Sequence, residues 1–181
     1  MSRISHMGQQ WYLSFDLKPT GTTGALSNIL HLTRGGDESR IGDKMPSVSF
    51  LPRTSRLQVC NAVGYNKSHC FESPTSLELN DYVNVRIRQT WDVKYSTYRI
   101  YIELDNNLVY NITNIAAREF TNMLLYVSDP WNPPAKAEIK NLVFKNLPFG
   151  TSFSFFVVER AVREKRSEGA VVVTSSIRVE G

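Results

Sequence analysis

The sequence predicts an all-β protein, an antiparallel sandwich of two sheets. The clearest sign is the stretch 77–113, LELNDYVNVRIRQTWDVKYSTYRIYIELDNNLVYNIT. Val83, Val85 and Ile87 alternate there with Asn84, Arg86 and Arg88, and Tyr98, Ile100, Ile102 and Leu104 alternate with Arg99, Tyr101 and Glu103. Side chains alternate across a pleated strand, so each strand should bury one face and wet the other. An Asp-Asn-Asn turn then leads into a third short strand, and half-buried hairpins of this kind build sandwiches. The remaining sign is the scarcity of helical periodicity: only IAAREF, residues 115–120, reads as a short helix.

The other elements follow in chain order. MSRISHMGQQ has no apolar stretch and reads as an expression leader, so residues 1–9 are expected to be disordered and His6 carries no functional weight. WYLSFDL, residues 11–17, puts Trp11, Leu13, Phe15 and Leu17 on one face. A Gly/Thr-rich turn separates it from NILHLT at 28–33, and the polar loop RGGDESRIGDKMP leads on to SVSFL at 47–51. LQVC and CFE flank a polar turn as a hairpin. NMLLYVS at 122–128 and AEIKNLVF at 137–144 are joined by DPWNPPAK, whose prolines exclude a helix. FSFFVVE at 153–159 and AVVVTSSIRVE at 170–180 form a closing strand pair, with the exposed turn EKRSEGA between them. Residues 10–181 thus read as a single sandwich domain.

A chain of 181 residues suits one domain, and at this size roughly 70% of the unfolded surface can be buried without metals or many disulfides. With 41% hydrophobic and 21% charged residues the composition is that of a globular domain. No apolar run approaches the ~20 residues of a membrane helix. A net charge of +4, from 21 basic and 17 acidic residues, falls short of a nucleic-acid-binding signature. Neither nucleic acid nor membrane insertion is expected.

Three features point to a secreted or cell-surface protein. Cys60 and Cys70 flank the short hairpin, where a disulfide would contribute about 3 kcal/mol in the chain-entropy model; the alternative is two buried thiols. Asn66-Lys67-Ser68 and Asn111-Ile112-Thr113 are N-glycosylation sequons. Arg163-Glu164-Lys165-Arg166 fits the R-x-K-R pattern cut by secretory-pathway convertases, although a solvated charge run would look the same.

Tyr82 followed by V-x-V-x-I-x, then YRIYIELDNNLV, with YLSFDLKPT at the start and AEIKNLVF at the end, resembles the core of laminin-G-like domains. Tyr82 stands where that family usually has Trp, Asp105-Asn106 stands at its D-G turn, and the likeness spans residues 11–144. The strand pair at 150–181 lies outside it. The resemblance implies a concanavalin-like jelly roll used in extracellular animal proteins for adhesion, receptor contact, or glycan and glycosaminoglycan binding. It implies no catalysis and no required cofactor, with room for a calcium site on one rim.

Nucleophilic catalysis needs Ser or Cys with His and a carboxylate, and outside the leader only His31 and His69 are present, both read as structural or surface residues. Zinc spacings and phosphate loops are missing. The only approach to a glycosidase carboxylate motif is Glu103-Leu104-Asp105, which the turn already explains. The chain is therefore expected not to be an enzyme. Calcium candidates are Asp37, Glu38 and Asp43 in the polar loop and Asp129 in SDPW, against the alternative that these acids hold turns. Arg86, Arg88 and Arg99 should share one outward face suited to a polyanion, or else be ordinary solvated strand residues. Trp131 is either a binding aromatic on a stiff loop or a plug over the sandwich end.

These readings favour an extracellular module that binds a glycan, glycosaminoglycan or protein. The alternatives are a structural domain of a precursor cut after Arg166 and, last, a jelly-roll glycoside hydrolase. Protein made in animal cells should carry a glycan on Asn66, in its polar turn, more fully than on Asn111, which follows a strand. Peptide mapping that finds Asn66 bare rejects the expectation.

Overall fold

The structure, a computed structural model, describes residues 1–148 and, as a short strand, Val173–Thr174. Twelve strands run in the order β1 (Ser2–Met7), β2 (Trp11–Pro19), β3 (Ser27–Thr33), β4 (Ser47–Phe50), β5 (Leu57–Val63), β6 (Asn66–Glu72), β7 (Val83–Asp92), β8 (Thr97–Leu104), β9 (Asn107–Asn114), β10 (Phe120–Val127), β11 (Ala137–Asn146) and β12 (Val173–Thr174). They form two six-stranded sheets, β1-β10-β3-β4-β5-β6 and β12-β11-β2-β7-β8-β9. All pairings are antiparallel except β11 with β12. No helix occurs among the described residues, and so none is long and apolar enough to cross a membrane.

The alternation read from the sequence is the packing rule of the second sheet. Leu13, Phe15 and Leu17 of β2, Val83, Val85 and Ile87 of β7, and Ile100 and Ile102 of β8 are buried in the core between the sheets. They meet Leu30, Leu32, Val48, Phe50, Leu57, Val59 and Met123 of the first sheet. Burying each such aliphatic or aromatic side chain contributes about 1.5–3 kcal/mol. One strand breaks the period. In β11 the register slips between Lys140 and Val143, with Asn141 at φ 54°. That bulge lets Leu142 and Phe144 follow Ile139 inward, and it turns the Asn141 amide out to donate to Asp16 Oδ2 at 2.6 Å. Asp105 and Asn106 are both left-handed (φ 49° and 67°), as a two-residue primed hairpin turn between β8 and β9 requires.

Two expectations give way. Residues 2–7 are not disordered: they pair with β10, Ile4 against Met123 and Met7 against Phe120, and Met7 is fully buried. Without this strand, β10 would be a bare edge over core side chains. The join to β2 is also fixed, because Gly8 N donates to Asn146 Oδ1 and the Asn146 amide donates to His6 O. Nor is 115–120 helical. Six residues cannot offset the cost of helix nucleation, while Asn114 Oδ1 turns the chain by accepting from Ala116 N, and Phe120 enters β10 as a buried residue.

Cys60 and Cys70 are directly opposite on β5 and β6 and form a disulfide. The expected strands at 153–159 and 170–180, apart from Val173–Thr174, and the basic site at Arg163, Lys165 and Arg166 lie outside the described residues.

Two stability outcomes follow from this architecture. Replacing both cysteines by Ser should cost about 3 kcal/mol, and intact mass should show the oxidised form two hydrogens lighter than the reduced one. Deleting residues 1–7 should lower the melting temperature, because burying Met7 alone contributes about 2 kcal/mol. An unchanged melting curve would show β1 to be dispensable.

Candidate functional site

The outer faces of the two sheets differ. That of the first sheet is roofed over β3 and β4: both are buried along their whole length, and the loops 34–46 and 128–136 bond back to them. His31 holds both loops. Its Nε2 donates to the carbonyl of Asp43 at 2.5 Å, and its Nδ1 meets Asp129 Oδ2 at 2.7 Å, with both partners of that pair inaccessible to solvent. A carbonyl oxygen only accepts, so the proton on Nε2 is fixed, and a second proton lies between Nδ1 and the carboxylate. Burial works to raise the Asp129 pKa. Hydrogen bonds from His31 and from Asn132 N outweigh it and hold the carboxyl below its usual range, so Asp129 is ionised at neutral pH. Asp129 Oδ1 also accepts from Trp131 N (3.0 Å) and Asn132 N (2.8 Å), and Asn28 Oδ1 accepts from Asp129 N.

The calcium candidates are drawn into this roof. Burial would raise the Asp43 pKa, but donors from the Arg40 amide, the Ser39 hydroxyl and the Arg40 guanidinium keep it low, and these bonds tie the loop 36–43 to itself. Glu38 pairs with Lys44 at 2.8 Å. Among the described residues Asp37 has no such partner, and one of its oxygens lies within 4.8 Å of a His31 ring nitrogen and an Asp129 carboxylate oxygen. A calcium shell needs six to eight oxygens, whereas this group includes an imidazole and a carboxylate already saturated by donors. The arrangement does not fit that ion. Trp131 is 40% exposed and stands edge-on to His31 (5.4 Å) and Tyr126 (5.9 Å), which makes it part of the roof and places it on the opposite sheet from the arginines. His69 bonds Tyr110 OH at 2.7 Å at the β6 edge. Both histidines therefore do structural work.

The outer face of the second sheet is not roofed by any described residue. Register aligns Lys145 of β11, Tyr12 of β2, Arg88 of β7, Tyr101 of β8 and Asn111 of β9 in one row. The next rows place Ser14 beside Arg86 and Glu103, and Thr90 beside Arg99 and Thr113. Cations lie over rings: Arg88 over Tyr101 (4.3 Å), Lys145 over Tyr12 (5.5 Å), Arg99 over Tyr95 (4.7 Å) and Lys140 over Tyr82 (3.5 Å). Arg88 also pairs with Glu103 at 2.9 Å, and Arg99 donates to Asn111 Oδ1 and approaches Asp92 at 4.0 Å. Burial, and then the bond from its hydroxyl to Asp92 (2.7 Å), push the Tyr101 phenol up, so it stays neutral. Burial pushes the Lys145 ammonium down. All three predicted arginines share this face, half-buried among neighbours. Asp105 accepts from Asn84 N in its turn and Glu103 answers Arg88, so the two do not form a hydrolase pair.

Sequence reasoning missed Tyr12, Tyr101, Lys140 and Lys145. Alternation already set Tyr101 beside the arginines. Tyr12 and Lys145 join them only through the β2–β7 and β11–β2 pairings, which no local pattern announces.

No protein-family model matches the sequence, and no curated protein matches it as a relative. Solved structures do match in shape. A heptameric SAP-like pentraxin from Limulus polyphemus aligns with TM-score 0.55 at 10% identity, over 82% of this chain and 69% of the pentraxin. The fold is a jelly roll. An alginate lyase from Pseudomonas aeruginosa aligns with TM-score 0.52 at 9% identity, over 79% of this chain and 68% of the lyase. A carbohydrate-binding module from Bacillus subtilis gives TM-score 0.49 at 14% identity, over 80% of this chain and 78% of the module. The lyase overturns one expectation. A sandwich of this shape carries polysaccharide-cleaving chemistry, so neither the fold nor the missing hydrolytic motifs rule out catalysis.

Breaking the His31–Asp129 pair should be costly, because it leaves a buried group unmatched. Asp129→Ala should lose about 3–5 kcal/mol. Since the folded Asp129 pKa lies below the unfolded value, its contribution is complete at neutral pH and is lost as pH falls through the folded value. The gap between wild type and variant in urea denaturation should therefore narrow only below about pH 4. A gap independent of pH down to full protonation would contradict the ion pair.

Proposed function

We propose that the protein binds a glycan on the outer face of its second sheet. The observation that carries this is the row Lys145–Tyr12–Arg88–Tyr101–Asn111. Five strands spaced about 4.8 Å apart make a line of about 19 Å, room for several sugar rings of a chain. A sugar ring offers C–H groups on its faces and hydroxyls around its edge. Tyrosine rings take the first, while planar Arg and Asn groups donate to and accept from the second. Stacking against the cations holds the tyrosines and guanidiniums in place before a ligand arrives, which reduces the ordering cost of binding. The jelly-roll fold and the laminin-G-like sequence pattern agree with this use of the face. The disulfide and the exposed sequon asparagine Asn66 suit an extracellular setting in which such chains are met.

A glycan array followed by calorimetry on the best chain tests the reading. Tyr12→Ala and Tyr101→Ala should each weaken binding roughly tenfold, about 1.4 kcal/mol, with the melting temperature serving as a folding control. Trp131→Ala, on the other sheet, should leave the affinity unchanged. Failure to bind any glycan, or dependence on Trp131 and not on the tyrosines, rejects this face.

A further inference from the structure

One cation on this face has no match. Arg86 lies on β7, with Ser14 of β2 and Glu103 of β8 opposite it in register. Glu103 is turned to Arg88 instead. Among the described residues the Arg86 side chain makes no hydrogen bond, ion pair or ring contact, and its Nε is shielded from water without an acceptor. Two positions earlier on the same face, Asn84 Oδ1 is likewise shielded without a donor, since its amide nitrogen serves Asp16 at 2.8 Å. Each of these groups carries a desolvation cost that nothing in the described chain offsets. Beside them the row is low, because Ser14 and Val143 stand where its neighbours have Tyr12 and Lys145.

The lack of a carboxylate beside Arg86 among the described residues specifies what would match it. A guanidinium takes a carboxylate through two parallel N–H···O bonds, a planar match that a point charge does not provide. Arg86 Nε is shielded, which leaves the two Nη groups to make that contact. A sugar ring bearing a carboxylate supplies the partner. Resting on the glycan reading above, we infer that the bound chain is an acidic, uronate-type saccharide and that the Nη edge of Arg86 receives its carboxylate. Lys140 and Lys145 flank the low ground and add positive potential to it.

Calorimetry with oligosaccharides of alginate, polygalacturonate and hyaluronan, each beside its carboxyl-reduced counterpart, tests this on the full chain. At least one acidic chain should bind tenfold or more tighter than its reduced form. Arg86→Gln should abolish that preference while retaining the weaker affinity for the reduced chain, and Arg86→Lys should restore it only in part. The melting temperature of Arg86→Gln should equal or exceed that of wild type, because an unmatched charge has been removed. Equal binding of acidic and reduced chains overturns the carboxylate while leaving the glycan reading intact; no binding to either kind overturns both. A sulfated dextran that binds more tightly than every uronate chain overturns the carboxylate in favour of sulfate. A preference that survives Arg86→Gln, or a variant that melts lower, removes Arg86 from the role.

Discussion

A strand that buries one face must present the other to water, and in the second sheet this constraint decides nearly everything else. The core needs Leu13, Phe15 and Leu17 on β2, and Val85 and Ile87 on β7, so the intervening positions are free of packing duty. They hold Tyr12, Asn84, Arg86 and Arg88 beside the smaller Ser14 and Thr90. Hydrogen-bond register then converts separate alternations into rows. Tyr12 and Arg88 are neighbours because Phe15 and Val85 are neighbours. The platform is thus a by-product of the core's register, and a one-residue slip of β2 against β7 would bury the tyrosines and expose the leucines.

The first sheet solves the same problem differently. The outer positions of β3 and β4 are polar but withdrawn from water, and the cost of burying them is met by pairing: His31 with Asp43 and Asp129, and Asn28 with Asp129 N. Buried ion pairs of this kind add little net stability over apolar packing, but removing one partner is expensive. Their effect is to fix the geometry of two loops rich in Gly and Pro, which would otherwise have few ways to hold a single conformation. Among the described residues, loops close over β3 and β4 of the first sheet, and none covers the outer face of the second.

Period-two patterning made most of the strands legible, and the Arg86–Arg88–Arg99 grouping with them, because alternation is a local property. The first strand was misread because a polar, leader-like composition hid Ile4 and Met7, whose role depends on β10 lying alongside more than a hundred residues later. IAAREF looked helical because its composition favours a helix, although Phe120 is claimed by the core. At the site, Trp131 and the acids attracted attention as chemically suggestive residues on loops. The structure uses Asp43, Asp129 and Trp131 to roof the first sheet. The residues that complete the arginine face come from β2 and β11, far away in the chain, and only the sheet order brings them in.

The row on the second sheet ends at β9, and among the described residues no strand lies beyond β9 in the sheet order. Asn111 therefore stands at a rim and not against a wall. A ligand laid along the row can run off over that rim, so its length is not measured and its terminus is not inspected. On the proposed glycan reading, such a surface would recognise the interior of a polymer, repeat by repeat. Several copies of the protein could then occupy one chain side by side, with the occupancy set by polymer length and not by the number of chain ends.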